Sequence, residues 1–253
     1  MGAVELDFEE RGKGEAVLLI HGFPLDRRIW EAQIGTLTER FRVVAPDLRG
    51  HGRSKAPPGA CTLDDYASDL FHLMDNLGVR DFAAAGHSMG GYILFAMHRL
   101  APGRLTKLAL VTTRAMADDE DGKKNREAVA QKVLSEGTTF LADSMAARVL
   151  RAQPAPEVVA RFREIIASQN PTGIAAASRA MAGRRDARGQ LASIKVPTLV
   201  LLGTSDKLVP PEETRAMAAA IPGATLVEVP GTSHLPMMEA PDVTTRALLD
   251  FFA

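Results

Sequence analysis

Residues 82–90 read FAAAGHSMG, and this stretch decides the predicted fold of the chain. Its apolar first half is typical of a buried strand, and residues 91–100, GYILFAMHRL, have the length and apolar content of a helix. Gly86 and Gly90 permit a sharp turn in which a β-carbon would collide with neighbouring backbone. The stretch therefore predicts a strand, a tight turn that presents Ser88 above the end of that strand, and a helix.

The pattern G-x-S-x-G in this context indicates a nucleophilic serine. A serine hydroxyl needs a base within hydrogen-bond reach and a third group that orients the base. Two later strands, predicted at 197–202 and 225–229, each lead into a loop that carries one of these groups: Asp206 and His234. Because parallel strands end at one edge of the sheet, the sequence predicts that Ser88, Asp206 and His234 are the catalytic residues.

Other acidic and basic groups compete for these roles. Asp118 and Asp119 are the alternative acids, since they follow another predicted strand end. Glu239 is interpreted as a charge at the start of the last helix or as a partner for a loop donor. His87, next to the serine, is expected to point elsewhere and to have a packing or supporting role.

The chain order Ser88, Asp206, His234 resembles that of the α/β-hydrolase superfamily, in particular its serine carboxylesterases and enol-lactonases. Residues 21–24, HGFP, and residues 46–54, PDLRGHGRS, fit the same family pattern. The resemblance implies a mostly parallel central sheet flanked by helices, with a helical cap inserted after the sixth strand. It also implies an oxyanion hole formed by the backbone N–H groups of Phe23 and Met89.

Residues 114–190 contain no strand-like run but several helix-length amphipathic segments. We interpret them as the cap, and residues 1–113 and 191–253 as the core domain; helices that extend the core are the alternative. Within the cap, residues 175–181, AAASRAM, suggest a modest apolar pocket.

Composition excludes several classes of protein. The formal net charge is −1 and no basic stripe is present, which argues against nucleic-acid binding. The single cysteine, Cys61, excludes an intramolecular disulfide and a multi-cysteine metal site. The acidic run at 118–121 fits no metal-ligand pattern, and no apolar run approaches the length of a membrane span. We expect a cytoplasmic monomer or homodimer that needs no metal or cofactor and does not bind membranes.

The nucleophile also excludes some relatives within the superfamily. Epoxide hydrolases and haloalkane dehalogenases use an aspartate at the position of Ser88, and epoxide hydrolases use two cap tyrosines. The two tyrosines of this chain, Tyr66 and Tyr92, lie outside the predicted cap. Acyl transfer is the chemistry that remains.

The sequence thus predicts a serine hydrolase that cleaves carboxylic esters of short to medium chain through an acyl-enzyme. Lactones of the enol-lactone or acyl-homoserine-lactone type, perhydrolysis and carbon–carbon bond hydrolysis are alternatives that use the same motifs. A receptor for small ligands on the same fold is the alternative without catalysis.

Overall fold

The computed structural model describes residues 2–57 and 59–253. Its centre is a seven-stranded sheet with the strand order β1-β3-β2-β4-β5-β6-β7. β1 pairs antiparallel with β3, and every other pair of neighbouring strands is parallel. The strands are β1 (Phe8–Arg11), β2 (Ala16–Ile20), β3 (Arg42–Pro46), β4 (Phe82–His87), β5 (Leu105–Val111), β6 (Thr198–Gly203) and β7 (Thr225–Val229).

The central strands are buried along their whole length, which explains their composition. β2, β4 and β6 read AVLLI, FAAAGH and TLVLLG, and every residue in them is buried. Helices cover both faces of such a sheet, so its strands read as continuous apolar runs. The edge strands β1 and β7 carry exposed charged residues instead.

Helices precede or follow most strands, and α1 packs on α10 while α2 packs on α3. Among the described residues, no helix is both long enough and apolar enough to cross a membrane. The helices are α1 (Glu31–Leu37), α2 (Leu63–Asn76), α3 (Met89–Leu100), α4 (Glu120–Glu136), α5 (Thr139–Val149), α6 (Pro156–Ala167), α7 (Pro171–Ala182), α8 (Pro211–Ala220), α9 (Pro236–Glu239) and α10 (Pro241–Phe252).

Helices α4 to α7, called the cap helices below, all follow β5. The strand that precedes them is the fifth of the seven described strands, whereas the resemblance implied a cap after a sixth strand. α4 packs on α7, and α5 packs on α6. The division into a core domain and a cap at 114–190 stays a prediction.

Two glycines join the cap helices to the loop after β3. Gly173 lies in the first turn of α7, and a β-carbon there would lie 1.9 Å from the carbonyl oxygen of Gly50. Gly50 itself has a φ of 74°, a conformation that favours glycine. The backbone of α7 therefore touches the backbone of the core directly.

We expect Gly173→Ala to lower the free energy of unfolding by about 1–3 kcal/mol, because the methyl group would push α7 away from the loop at Gly50. Gly35→Ala is the matched control, since Gly35 lies in α1 with no heavy atom within 4 Å of the added methyl group. That variant should gain up to about 1 kcal/mol from helix propensity. Urea unfolding measures both, and an unchanged midpoint for Gly173→Ala would contradict the contact.

Candidate active site

Ser88 lies at the turn between β4 and α3 with φ of 51° and ψ of −110°. Its N–H donates to the carbonyl oxygen of Val111 at 2.9 Å, and its own carbonyl oxygen accepts a hydrogen bond from Thr113 Oγ1 at 2.8 Å. Gly86 and Gly90 touch across the turn, because a β-carbon on Gly86 would lie 2.5 Å from the Gly90 carbonyl. The turn predicted from the sequence is therefore present, with Ser88 in a strained backbone conformation.

Asp206 and His234 meet at the same edge of the sheet. His234 Nδ1 lies 2.7 Å from Asp206 Oδ2, and both side chains are almost fully buried. The other carboxylate oxygen of Asp206 accepts the N–H groups of Leu208 at 2.8 Å and Val209 at 3.0 Å. Because a carboxylate accepts hydrogen bonds, Nδ1 carries the proton and Nε2 is left as the basic nitrogen.

The backbone of His234 is held on both sides. Its carbonyl oxygen accepts hydrogen bonds from Thr112 Oγ1 at 3.0 Å and from His87 Nε2 at 2.9 Å, and its N–H donates to Val149 of α5 at 3.0 Å. Burial and the neighbouring His234 keep the pKa of His87 well below its ordinary value, so its ring is neutral. His87 is thus a support for His234, as expected from the sequence.

Two consecutive threonines after β5 connect the serine and the histidine. Thr113 binds the backbone of Ser88, and Thr112 binds the backbone of His234. No hydrogen bond joins the Ser88 hydroxyl to the His234 ring among the described residues. Catalytic hydrogen bonds are often long without substrate and close in the substrate complex. Neither threonine was predicted from the sequence, because the only signal for them is their position at a strand end.

Glu239 connects the histidine loop to the cap helices. Its carboxylate accepts the N–H of Ser233 and the N–H of Arg151, both at 2.6 Å. Burial raises the pKa of this carboxyl group, although the two N–H donors act against the shift. Of the two roles that the sequence suggested for Glu239, the structure shows the second, a partner for loop donors.

The two backbone N–H groups assigned to the oxyanion hole are unpaired in the described hydrogen bonds. Met89 is the first residue of α3, where the first N–H groups of a helix have no partner within it. Phe23 and Ser88 both line a cavity that also contacts the cap helices. Free backbone donors fixed at a helix N-terminus, as at Met89, and in a tight loop, as at Phe23, are suited to bind a developing oxyanion.

His21 fixes the loop that carries Phe23. Its Nδ1 donates to the carbonyl oxygen of Gly22 at 2.9 Å, and its Nε2 accepts the N–H of Leu48 at 2.9 Å. Burial lowers the pKa of His21 to about 4, which keeps the ring neutral and both bonds in place.

A cavity of about 450 Å³ lies between Ser88 and the cap helices. Of the predicted pocket-forming helix segment at 175–181, Met181 borders this cavity. Ser178 instead packs on α4, where its hydroxyl donates to the carbonyl oxygen of Arg126 at 2.8 Å. The residues that line the cavity are of two kinds, named here by their side chains: the apolar wall comprises Val129, Phe140, Leu141, Met145, Leu208 and Val209, and the polar wall includes Arg114, Asp118, Asn125, Arg126 and Arg148.

Asp118, the alternative to Asp206 in the sequence analysis, does not contact His234 but binds arginines. Its carboxylate receives Arg114 Nη2 at 3.1 Å and Arg126 Nε at 3.0 Å. Arg184 Nη1 lies 2.7 Å from its second oxygen. Burial acts to raise the pKa of Asp118, but these arginines outweigh it and lower the pKa to about 2. Asp118 is a permanent anion that holds three cations, and Asp206 is the carboxylate that contacts His234.

The remaining acidic residues of the run at 118–121 have ordinary structural partners. Asp119 caps α4 by accepting the N–H of Gly122 at 2.7 Å, while Glu120 and Asp121 pair with Lys123 and Lys124. Within residues 2–57 and 59–253, no three His, Cys, Asp or Glu side chains are grouped as metal ligands would be.

A family model described as the alpha/beta hydrolase fold matches residues 15–241. The chain belongs to this family. This α/β-hydrolase is similar to a solved thermophilic esterase from Thermogutta terrifontis with malate bound, at 43% identity and a TM-score of 0.97, covering 98% of this chain and 93% of that one. It is also similar to the enol-lactonase from Burkholderia xenovorans, at 31% identity and a TM-score of 0.91, covering 98% and 96% of the two chains.

Among curated sequences, a putative carbamate hydrolase, RutD, from Azorhizobium caulinodans is 31% identical over 99% of this chain and 96% of its own length. Its family and its relatives together identify this protein as a hydrolase. Esterases and enol-lactonases are among its structural neighbours.

We expect Asp118→Asn to destabilise the hydrolase at pH 7 by about 2 kcal/mol or more. The interactions that lower the pKa of Asp118 from 3.8 to about 2 are absent in the variant, and three arginines lose the carboxylate that neutralises them. The ionised carboxylate stabilises the fold above its unfolded pKa. The difference between wild type and variant should therefore shrink as the pH falls from about 4 toward 2. Urea unfolding at pH 7, 4 and 3 measures it, and a difference that is constant with pH would contradict the assignment.

We expect Glu239→Gln to speed hydrogen exchange in the peptides that contain Ser233 and Arg151 by about tenfold or more, since an amide replaces one charged acceptor with an N–H donor. Exchange measured by mass spectrometry tests this. Glu228→Gln is the control, because Glu228 is an exposed residue of β7 that pairs with Arg215. Equal exchange in wild type and Glu239→Gln would show that Glu239 does not hold the two loops together.

Proposed function

We propose that this hydrolase is a serine esterase that cleaves carboxylic esters of short to medium chain. The observation that carries the proposal is the buried 2.7 Å contact between His234 Nδ1 and Asp206 Oδ2 at the sheet edge where Ser88 occupies a strained turn below the cavity. A histidine with Nδ1 fixed by a carboxylate has Nε2 free to take a proton from a serine hydroxyl.

The proposed reaction has two halves. In the first, Ser88 Oγ attacks the ester carbonyl carbon while His234 Nε2 takes the hydroxyl proton, and the N–H groups of Phe23 and Met89 bind the oxyanion. The C–O bond to the alcohol then breaks, and His234 returns the proton to the leaving oxygen. In the second half, His234 takes a proton from water, the hydroxide attacks the acyl-Ser88 carbonyl, and the acid leaves as Ser88 regains its proton.

The size of the cavity and the relatives support the substrate class. A cavity of about 450 Å³, partly lined by apolar side chains, suits a small ester better than a long-chain lipid. The similar protein from Thermogutta terrifontis is described as an esterase. The proposed partner is thus a small-molecule ester, and the steps above require only protein groups and water. The cytoplasmic location and the monomeric or homodimeric state stay predictions.

Lactone hydrolysis is the second candidate, and the similarity to the enol-lactonase from Burkholderia xenovorans favours it. A lactone is a cyclic ester, so the same groups act in the same order. The difference is that the leaving oxygen stays attached to the acyl group.

The test is hydrolysis of p-nitrophenyl esters from acetate to laurate, followed by lactones, with wild type and Ser88→Ala. We expect turnover to be highest for short or medium chains and to fall by about 10⁴-fold or more in Ser88→Ala, since the nucleophile is lost. Ser135→Ala is the control, because Ser135 is exposed at the end of α4.

Near-full turnover by Ser88→Ala would overturn the assignment of the nucleophile. A folded wild-type protein that cleaves none of these esters or lactones would overturn the proposed function and favour a ligand-binding role on the same fold.

A further inference from the structure

The polar wall of the cavity above Ser88 carries an excess of positive charge. Arg114, Arg126 and Arg148 border the cavity, and Asp118 is the carboxylate that borders it with them. Asp118 is already bound by three arginines, one of which, Arg184, lies outside this lining. The charges of the wall therefore do not balance, and an anion in the cavity would be favoured.

Arg148 is an exposed residue whose side chain borders the cavity and forms no ion pair in the described residues. Its guanidinium has no hydrogen-bond or ion-pair partner in residues 2–57 and 59–253. It lies in the last turn of α5 and directly precedes Val149, whose carbonyl oxygen binds the N–H of His234 at 3.0 Å. The side chain of Arg148 borders the same cavity as Ser88.

Arg114 also borders this cavity. It directly follows Thr113, whose hydroxyl binds the carbonyl oxygen of Ser88 at 2.8 Å. Its Nη2 contacts Asp118 at 3.1 Å, its Nη1 is 3.5 Å from Glu213, and the side chain of Tyr92 interacts with the same guanidinium. Its buried Nε–H makes no hydrogen bond among the described residues. A buried donor without an acceptor is costly, and an oxygen of a bound ligand would remove that cost.

We propose, on the basis of the esterase function above, that the preferred substrate is an ester that also carries a carboxylate, which Arg148 and Arg114 bind. Guanidinium groups bind carboxylates through paired, charge-assisted hydrogen bonds. The apolar wall would hold the short carbon chain that separates this carboxylate from the ester. The substrate class is the half-esters of short dicarboxylic acids or, with the carboxylate on the alcohol, the acyl esters of short hydroxy acids.

The kinetic test compares monomethyl succinate and monomethyl adipate, which are anionic, with the corresponding neutral dimethyl esters. Acetyl glycolate, the acetyl ester of glycolic acid, places the carboxylate on the alcohol. Wild type should have the higher kcat/KM for an anionic ester. Arg148→Gln should lose about 10- to 100-fold in kcat/KM for that ester, mainly through KM, and change little for the neutral diester. Arg246→Gln, on the exposed surface of α10, should change neither.

The outcomes separate this inference from the proposed function. Ser88-dependent cleavage in which wild type prefers the neutral diesters, or in which Arg148→Gln affects both kinds of ester equally, would overturn the carboxylate site and leave the esterase intact. A preference for the half-esters would place the carboxylate on the acyl side, and a preference for acetyl glycolate would place it on the alcohol side.

A binding experiment tests the site even if no ester is cleaved. Succinate should raise the Tm of Ser88→Ala, and the rise should be lost when Arg148→Gln is added. Dimethyl succinate and sodium chloride at equal ionic strength are the controls. No rise with succinate, or an equal rise with sodium chloride, would overturn the proposal.

Discussion

At Ser88 the chain leaves β4 and enters α3 with a positive φ, a conformation that costs a non-glycine residue about 1–3 kcal/mol unless the surroundings enforce it. The surroundings here are the backbone of β2 and the side chain of Thr113. A β-carbon on Gly90 would lie 2.5 Å from the carbonyl oxygen of Ile20, and one on Gly91 would lie 2.5 Å from the side chain of Thr113. β2, β4 and the end of β5 thus converge on this turn, and glycine is required because nothing larger fits.

The end of β5 carries this constraint to the rest of the site. Thr112 and Thr113 bind the backbones of His234 and Ser88, so the segment that directly follows β5 holds the proposed base and the proposed nucleophile together. Thr112 itself has a φ of 42°, which turns the chain away from the sheet immediately before the cap helices begin. The residue that follows, Arg114, then stands at the wall of the cavity. Three consecutive residues therefore connect Ser88, His234 and the wall of the cavity.

The parts of the site that the sequence predicted are those with a local pattern. Ser88 has its glycines and its strand and helix, and Asp206 and His234 each follow a strand that ends at the same edge. Asp118 also follows a strand, and no local signal separates it from Asp206. The two carboxylates are distinguished by their partners in the fold. Arg126 of α4 and Arg184 from the segment after α7 bind Asp118. Contacts of this range depend on the packing of helices, so the sequence alone did not predict the charge of the cavity wall.

The bond from His234 N–H to the Val149 carbonyl, together with Glu239 between Ser233 and Arg151, makes the end of α5 part of the catalytic framework. A chimaera that exchanged residues 114–190 for the corresponding segment of a relative would have to present a carbonyl and an N–H at the same two points. Without them the histidine loop would lose its support, whatever pocket the new segment formed. New specificities in this scaffold are therefore more accessible through side-chain changes on α4 and α5 than through replacement of the whole segment.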